Sequence, residues 1–367
     1  MRGNSGYSVA TRAYCTALRD ADVDLICDDF ENVFPVSHSW MAETATKDDT
    51  GYFHICHEIP VHRADAHYTV YEMDQAPAEW GPLLRRDKFI MTPSEYSKRS
   101  LSSICPPEKI HVVHHGIDPK FSPEGDKVEF ELLMGEQEPD GEPQQVDGQE
   151  FLVQIMKPKP LPKFKFLSVF EWVERKCGAR LIKAFVEEFD KNEDVCLILK
   201  TYSNLEAITH VISDLVGDAN VFLLKSYVDD MSTLYRAADG YISCSSGEGW
   251  GETLSEAMAC GLPTIGSSNG GNMEFMNDKN SFIVPVEEWQ IIGHNILEPL
   301  VEPWFKHRPP RIDGMKAAMR SVFNGGRDVT SRVREAVKIR EEFTWEKAAK
   351  QIIELVETHA DTGTRDD

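Results

Sequence analysis

The stretch GEGWGETLSEAMACGLP, Gly247–Pro263, decides how the rest of the chain is read. It follows GYISCSS (240–246), an apolar run of the kind that forms a buried strand. Gly247, Gly249 and Gly251 then make a turn at the carboxyl end of that strand, where the missing Cβ atoms let the backbone approach a ligand and take positive φ. The spacing predicts a helix from Glu252 or Thr253 that ends at Gly261, because Pro263 forbids continuation. Backbone N–H groups from Trp250 to Leu254 then point out of the helix start, a setting that favours an anion such as a phosphate. Glu248 lies on the turn beside that place, and Glu256 lies one helical turn in. A carboxylate among phosphates is electrostatically costly, so accepting hydrogen bonds from hydroxyls is the duty that suits it. Hydroxyls and phosphates in one small site describe a nucleotide sugar.

Working outward, short apolar runs alternate with helical patterns along the whole chain. DVDLIC (22–27), GYFHICHE (51–58), KFIMTPS (88–94) and KIHVVHH (109–115) read as strands, with helices at ATRAYCTALRDA (10–21) and EYSKRSLSSI (95–104). The alternation restarts with FKFLSVF (164–170), ARLIKAFVEEFDK (179–191), DVCLILKTY (194–202), EAITHVISDLVG (206–217), NVFLLKSY (220–227) and DMSTLYRAA (230–238). It runs on through the opening stretch to PTIGSS (263–268). Strands alternating with helices of this length predict parallel sheets covered on both faces, and two such series predict two doubly wound α/β domains.

Between the series lies an acidic segment, residues 122–150, with ten acidic residues against the single Lys127. Such a charge run reads as a solvated, partly disordered loop. KPKPLPK (157–163) stiffens the linker after it. The expected organisation is residues 1–160, 161–340 and a closing segment 341–367, in which FTWEKAAKQIIELVETHA forms an amphipathic helix capped by Thr344.

The bulk numbers exclude several classes. A net charge of −22 leaves no basic surplus to neutralise phosphates along a nucleic acid, although Arg175-Lys176 forms a local basic spot. No apolar run approaches the roughly 18 residues that span a bilayer, and the start lacks the apolar centre of a secretory signal. Peripheral membrane contact is compatible with this. The eight cysteines form no CxxC pair and several sit in apolar runs, so they read as reduced thiols of a cytoplasmic protein. His54, His57, His62 and His67 read as strand or loop histidines rather than zinc ligands, since no cysteine supports a metal site.

The Glu248–Glu256 pair at this spacing resembles the E-x7-E motif of the family-4 retaining glycosyltransferases, glycosyl transferases group 1, which have the GT-B fold. AMACGLPTIGSSNGGNMEF (257–275) is similar to that family's continuation, and FLSVFEWVERKCGARLIKAF (166–185) to its basic strand–turn–helix element. HVVHHGIDPKFSP (111–123) resembles the end of its first domain, and HYTVYEMDQAPAEW (67–80) and FIMTPSEYS (89–97) are similar to one branch of it. The resemblance implies two Rossmann-like domains facing each other across a cleft, an acceptor side in the first and a nucleotide-sugar site in the second, with the last helix packing back across both. It implies transfer of a sugar from a UDP- or GDP-sugar to a glycan, protein or lipid hydroxyl.

The roles it implies fall on particular residues. Glu248 contacts donor-sugar hydroxyls, helped by the backbone around Gly249, Trp250 and Gly251. Amides of Glu252, Thr253 and Leu254 face the diphosphate, Glu256 holds the ribose, and Arg175 and Lys176 neutralise the departing diphosphate. Preorganised cations are worth several kcal/mol in a dry site, so no metal or other cofactor is needed for that task. Gly6, in the Gly3–Tyr7 loop, and His57, Glu72, Ser94 and His115 at strand ends face the donor or acceptor. Retention is expected by front-face attack, with the leaving phosphate taking the acceptor proton.

Simpler readings stand beside these. Glu248 and Glu256 could be solvated carboxylates, Arg175-Lys176 a solvated turn, and Ser94 only the N-cap of EYSKRSL. A two-carboxylate hydrolase is disfavoured, because one helical element cannot set acid and base on opposite sides of a sugar. Three departures from the family pattern stand out. Only Met1 and Arg2 precede the glycine loop where the family has a strand, so the sheet lacks that strand or the sequence begins inside it. Phe170-Glu171 replaces a common Gly-Arg, removing one cation that Arg175 would replace, and Cys177 stands where glycine is common. They motivate two alternatives, a non-catalytic sugar-nucleotide-binding subunit and a GT-B sugar-nucleotide epimerase.

Overall fold

The computed structural model describes residues 6–26, 52–128, 153–154, 161–201, 212, 214–224, 228–291 and 306–360. The chain divides into two units, Met1–Asp118 with Arg340–Asp367, and Pro119–Ile339.

In the first unit, α1 (Gly6–Asp20) carries Ala10, Tyr14 and Leu18 four apart on one stripe, and all three are buried. Strands β1 (Ile55–His57), β2 (Ala66–Tyr68), β3 (Phe89–Thr92) and β4 (Ile110–Val112) form a parallel sheet in that order. The two-residue strand period sends Phe89 and Met91 to a core shared with α1 and with Ala348, Ala349 and Ile352 of the final helix, Trp345–Ala360. Ile90 faces the other way, onto Leu84, Leu101, Cys105 and Ile110. Helix α2 (Glu95–Leu101) is capped by Ser94, whose Oγ accepts the Ser97 N–H at 3.2 Å. Thr344 caps the final helix, accepting the Lys347 N–H at 3.3 Å.

Two expectations change here. No strand forms over residues 22–26, where Asp22 takes φ 61° and donates back to the Arg19 carbonyl at 2.9 Å, closing α1 with a turn. A strand does form at β2, over AHY, a segment not read as one, where pairing to β1 and β3 on both sides buries all three residues.

The second unit is built on a seven-stranded sheet. Its strands are β5 (Val153–Gln154), β6 (Phe164–Val169), β7 (Val195–Lys200), β8 (Val221–Leu224), β9 (Gly240–Ser243), β10 (Thr264–Ser267) and β11 (Phe282–Val284). Their order across the sheet is β11-β10-β9-β6-β7-β8-β5, all parallel except β5, which runs antiparallel to β8. Every residue of β7, β8, β9 and β10 is buried, as a sheet covered on both faces requires. Helix α3 (Gly178–Glu188) lays Leu181, Ile182 and Phe185 on one face, against Met315 and Met319 of a later helix, Ile312–Asn324.

The division at Asp118 falls earlier than the linker expected at 157–163. Residues after it are tied to the second unit by Arg236 of α4 (Met231–Ala237), whose guanidinium donates to the carbonyls of Asp126 (2.7 Å), Lys120 (3.3 Å) and Ser122 (3.2 Å). Pairing of β5 with β8 continues that attachment. Of the acidic segment, residues 129–150 lie outside the described residues, as do most of the helix expected at 206–217 and all of 361–367.

Candidate active site

In the seven-stranded sheet the chain leaves β6 to build β7 and β8 on one side, and later returns to build β9, β10 and β11 on the other. The carboxyl ends of β6 and β9 therefore flank the point where strand order reverses, the place where an open α/β sheet receives ligands. Two loops leave those ends, Phe170–Cys177 from β6 and Cys244–Gly251 from β9. They carry Arg175, Lys176 and Glu248.

The β9 loop is held by the end of β10 and the segment after it. Ser267 Oγ donates to the Ser245 carbonyl (2.6 Å), Asn269 Nδ2 to the Ser246 carbonyl (2.7 Å), and the Gly271 N–H to the Glu248 carbonyl (2.7 Å). Gly270 has φ +148°, and a Cβ there would stand 2.7 Å from Asn272 Oδ1 and 2.9 Å from the Glu248 nitrogen. Only glycine allows that approach. Asn272 is fully buried, donates to the Ser267 carbonyl at 2.9 Å, and its Oδ1 has no hydrogen-bond partner.

Helix α5 (Glu252–Ala259) begins where expected, with Gly251 as N-cap at φ 99°, and Gly261 follows its end at φ 80°. Its first intrahelical bond runs from the Leu254 N–H to the Gly251 carbonyl at 3.0 Å. The Leu254 amide is engaged in that bond, and its side chain is core. Glu252 and Thr253 precede that bond and stand at the positive end of the helix. Trp250 is buried against Phe275, ring centroids 4.9 Å apart, so its side chain supports the turn from beneath.

Four of the sequence-derived residues meet here. Lys176 Nζ donates to Glu248 Oε1 at 2.6 Å, and Arg175 Nη1 stands 3.7 Å from Glu248 Oε2 while donating to the Gly247 carbonyl at 3.2 Å. Burial alone would raise the Glu248 carboxyl, but Lys176 and Arg175 outweigh it and hold the group below the ordinary carboxylate range. Glu252 goes the other way: burial, with the Glu248 charge added and Lys176 opposing, pushes it up to about 8. The pair thus presents one ionised carboxylate and one protonated acid at neutral pH, beside two cations and a helix start. Glu256 accepts the Tyr235 hydroxyl at 2.8 Å.

The turn carrying the cations is itself unusual. Cys177 takes a left-handed conformation, φ 54° and ψ 34°, at the position where the family commonly has glycine. Phe170, in place of the common glycine, packs over Gly178, where a Cβ would lie 2.9 Å from its ring. The Arg175 carbonyl accepts the Ser246 N–H (2.8 Å), the Ser246 hydroxyl (3.0 Å) and the Cys177 thiol (3.6 Å). Sequence reasoning missed this fastening, because Ser246 and Arg175 are 71 residues apart and no local pattern joins them.

The remaining candidates belong to the first unit. His57, at the end of β1, has Nδ1 2.6 Å from Thr11 Oγ1 and packs edge-on against Tyr68 with centroids 4.7 Å apart. Burial and the nearby His115 push its pKa down to about 3, and His115 is likewise lowered to about 3, so both rings are neutral at pH 7. Gly6 is the first residue of α1, while Gly3–Ser5 lie outside the described residues. Ser94 is the cap of α2, and the Glu72 carbonyl accepts the Tyr96 hydroxyl at 3.2 Å. Among the described residues no group of three or more His, Cys, Asp or Glu could hold a metal ion, and no helix is long and apolar enough to cross a membrane.

A parallel sheet with this switch point, followed by a glycine turn and a short helix, is a ligand-binding arrangement of open α/β folds. Residues 155–308 match the family described as glycosyl transferases group 1. The UDP-N-acetylglucosamine–peptide N-acetylglucosaminyltransferase GtfA subunit of Streptococcus gordonii is 39% identical over 72 residues, 19% of this chain and 14% of that protein. A second curated relative matches over 24% of its own length, so the aligned stretches are small parts of both relatives. WaaG, a glycosyltransferase of lipopolysaccharide biosynthesis, superposes with TM-score 0.62 at 12% identity, covering 98% of this chain and 97% of that one. HepE of Anabaena, solved with UDP and glucose, gives TM-score 0.56 at 15% identity over 80% of this chain and 71% of that one. The fold is GT-B.

Proposed function

We propose that the protein is a retaining glycosyltransferase that moves a sugar from a nucleoside diphosphate sugar to an acceptor hydroxyl without a metal ion, in the cytoplasm. The observation that carries this reading is the Lys176–Glu248–Arg175 cluster lying at the start of α5 and the switch point of the sheet. Departure of a nucleoside diphosphate concentrates negative charge, and two fixed cations with the helix amides of Glu252 and Thr253 are placed to receive it. Lys176 supplies a point charge and Arg175 a fork suited to two phosphate oxygens. Glu248, released from Lys176 when the diphosphate arrives, accepts hydrogen bonds from the sugar hydroxyls, and Glu256 takes the ribose.

In the reaction the acceptor oxygen bonds to the anomeric carbon on the face from which the diphosphate leaves. The carbon–phosphate-oxygen bond breaks, and the acceptor proton passes to the departing phosphate. The names of the similar proteins, one acting with UDP-N-acetylglucosamine and one solved with UDP and glucose, support a UDP-linked donor. Incubating the protein with UDP- and GDP-sugars and following donor loss tests the proposal. Nucleotide binding without turnover on any acceptor would instead indicate a binding subunit, and donor conversion without transfer an epimerase.

A further inference from the structure

We infer that His307, on a strand far along the chain, is a positioning residue for the two cations of this site. The inference rests on the reading of Arg175 and Lys176 as the diphosphate cradle. His307 belongs to the two-residue strand Lys306–His307, which pairs antiparallel with Gln290–Ile291. It is 7% exposed, and its Nδ1 lies 2.9 Å from Ser246 Oγ.

The direction of that hydrogen bond follows from its neighbours. Ser246 has one hydroxyl hydrogen, and its Oγ is 3.0 Å from the Arg175 carbonyl oxygen, which can only accept. The hydrogen must point there, since two oxygen lone pairs would otherwise face each other. His307 therefore donates from Nδ1 to Ser246 Oγ. Burial and the nearby Arg180 push the His307 pKa below its usual value, favouring the neutral ring, and the bond to Ser246 Oγ places its hydrogen on Nδ1.

A relay of hydrogen bonds results, from the His307 ring to the Ser246 hydroxyl to the Arg175 carbonyl. That carbonyl sits in the short turn Glu174–Lys176, whose two basic side chains meet Glu248. The His307 strand is anchored in turn. Arg180 of α3 donates to the Pro310 carbonyl at 3.2 Å and pairs with Glu287, and Arg308 donates to the Glu287 carbonyl at 3.0 Å. His307 and Arg180 thus brace the turn and the helix that follows it against one strand. His307 touches neither sugar nor phosphate in this arrangement; it holds the turn from which the cations reach out.

Calorimetric affinities for UDP, GDP, uridine and guanosine test the inference, because only the diphosphates use the cations. In His307→Leu the affinity for the preferred diphosphate should fall about three- to tenfold, the size of one buried hydrogen bond, with the nucleoside unchanged. His307→Asn, whose amide N–H can stand near the place of Nδ1, should restore it. Ser246→Ala should reproduce the loss, which keeps the test open if the leucine variant does not fold. An unchanged diphosphate-to-nucleoside ratio in both variants, or parallel loss of both ligands, would overturn the inference alone. A wild-type protein that binds no diphosphate better than its nucleoside would overturn the reading of the site, and this inference with it.

Discussion

The Nζ of Lys176 stands 2.6 Å from Oε1 of Glu248, with side-chain exposures of only 18% and 8%. The cation assigned to a departing diphosphate is thus paired with the carboxylate assigned to the sugar. Such a pair is screened little by solvent, and a diphosphate arriving at Lys176 must take the place of Glu248.

Removing the charge of Glu248 should therefore separate binding from chemistry. Glu248→Gln should bind UDP or GDP more tightly than the wild type, because no carboxylate competes for Lys176 and Arg175. Its turnover of a nucleotide sugar should drop by roughly a hundredfold or more, since the sugar loses its anchor. Paired calorimetry and turnover measurements check this, and weaker diphosphate binding in the variant would sink the competition between carboxylate and phosphate.

Glu252 gives a pH signature. Its folded pKa of about 8 lies above the ordinary 4.5, so between those values the folded state keeps a proton that the unfolded state has released. Stability contributed by the neutral acid is complete below about 4.5 and declines as pH rises to about 8, after which it levels. Glu252→Gln should flatten that part of the curve and exceed the wild type in stability at pH 9. Urea unfolding across pH 5–9 reads this out, and parallel curves for the two proteins would contradict it.

Gly270→Ala probes the close approach beneath the site. The added Cβ would meet the Glu248 backbone nitrogen at 2.9 Å, which a flexible side chain cannot relieve, at a residue with φ +148°. A loss of about 1–3 kcal/mol is expected, together with weaker diphosphate binding as Glu248 shifts. Denaturant unfolding gives the first and calorimetry the second.

Tyr235→Phe probes Glu256. The phenol donates to Oε2 at 2.8 Å, so its removal should cost about 1 kcal/mol and leave the carboxylate less well aimed. If Glu256 holds the ribose, the KM for the donor should rise several-fold with kcat nearly unchanged, a split that steady-state kinetics resolves.

Much of the second unit was legible because its signals are local. Buried parallel strands appear as apolar runs, VCLIL and VFLL among them, and the Gly251 start and Gly261–Pro263 stop of α5 are written within thirteen residues. The charge cluster was legible as a set of residue types but not as a geometry. Lys176 and Glu248 are 72 residues apart, and their mutual pairing depends on where β6 and β9 place their loops. The Tyr235–Glu256 bond and the Ser246–His307 contact were missed for the same reason, as was the left-handed Cys177, which breaks the expectation that glycine takes such a position. In the first unit β2 is only three residues long, too short for periodicity to announce, and its register with β1 and β3 defines it.

The central claim, that Lys176 and its partners form a retaining donor site, is tested most directly by an NMR time course of UDP- and GDP-sugar turnover by the wild type and Lys176→Ala in parallel. The wild type should convert at least one donor with the anomeric configuration of the product retained, and Lys176→Ala should be slower by about a hundredfold or more. An inverted product, or equal rates for the two proteins on every active donor, would contradict it.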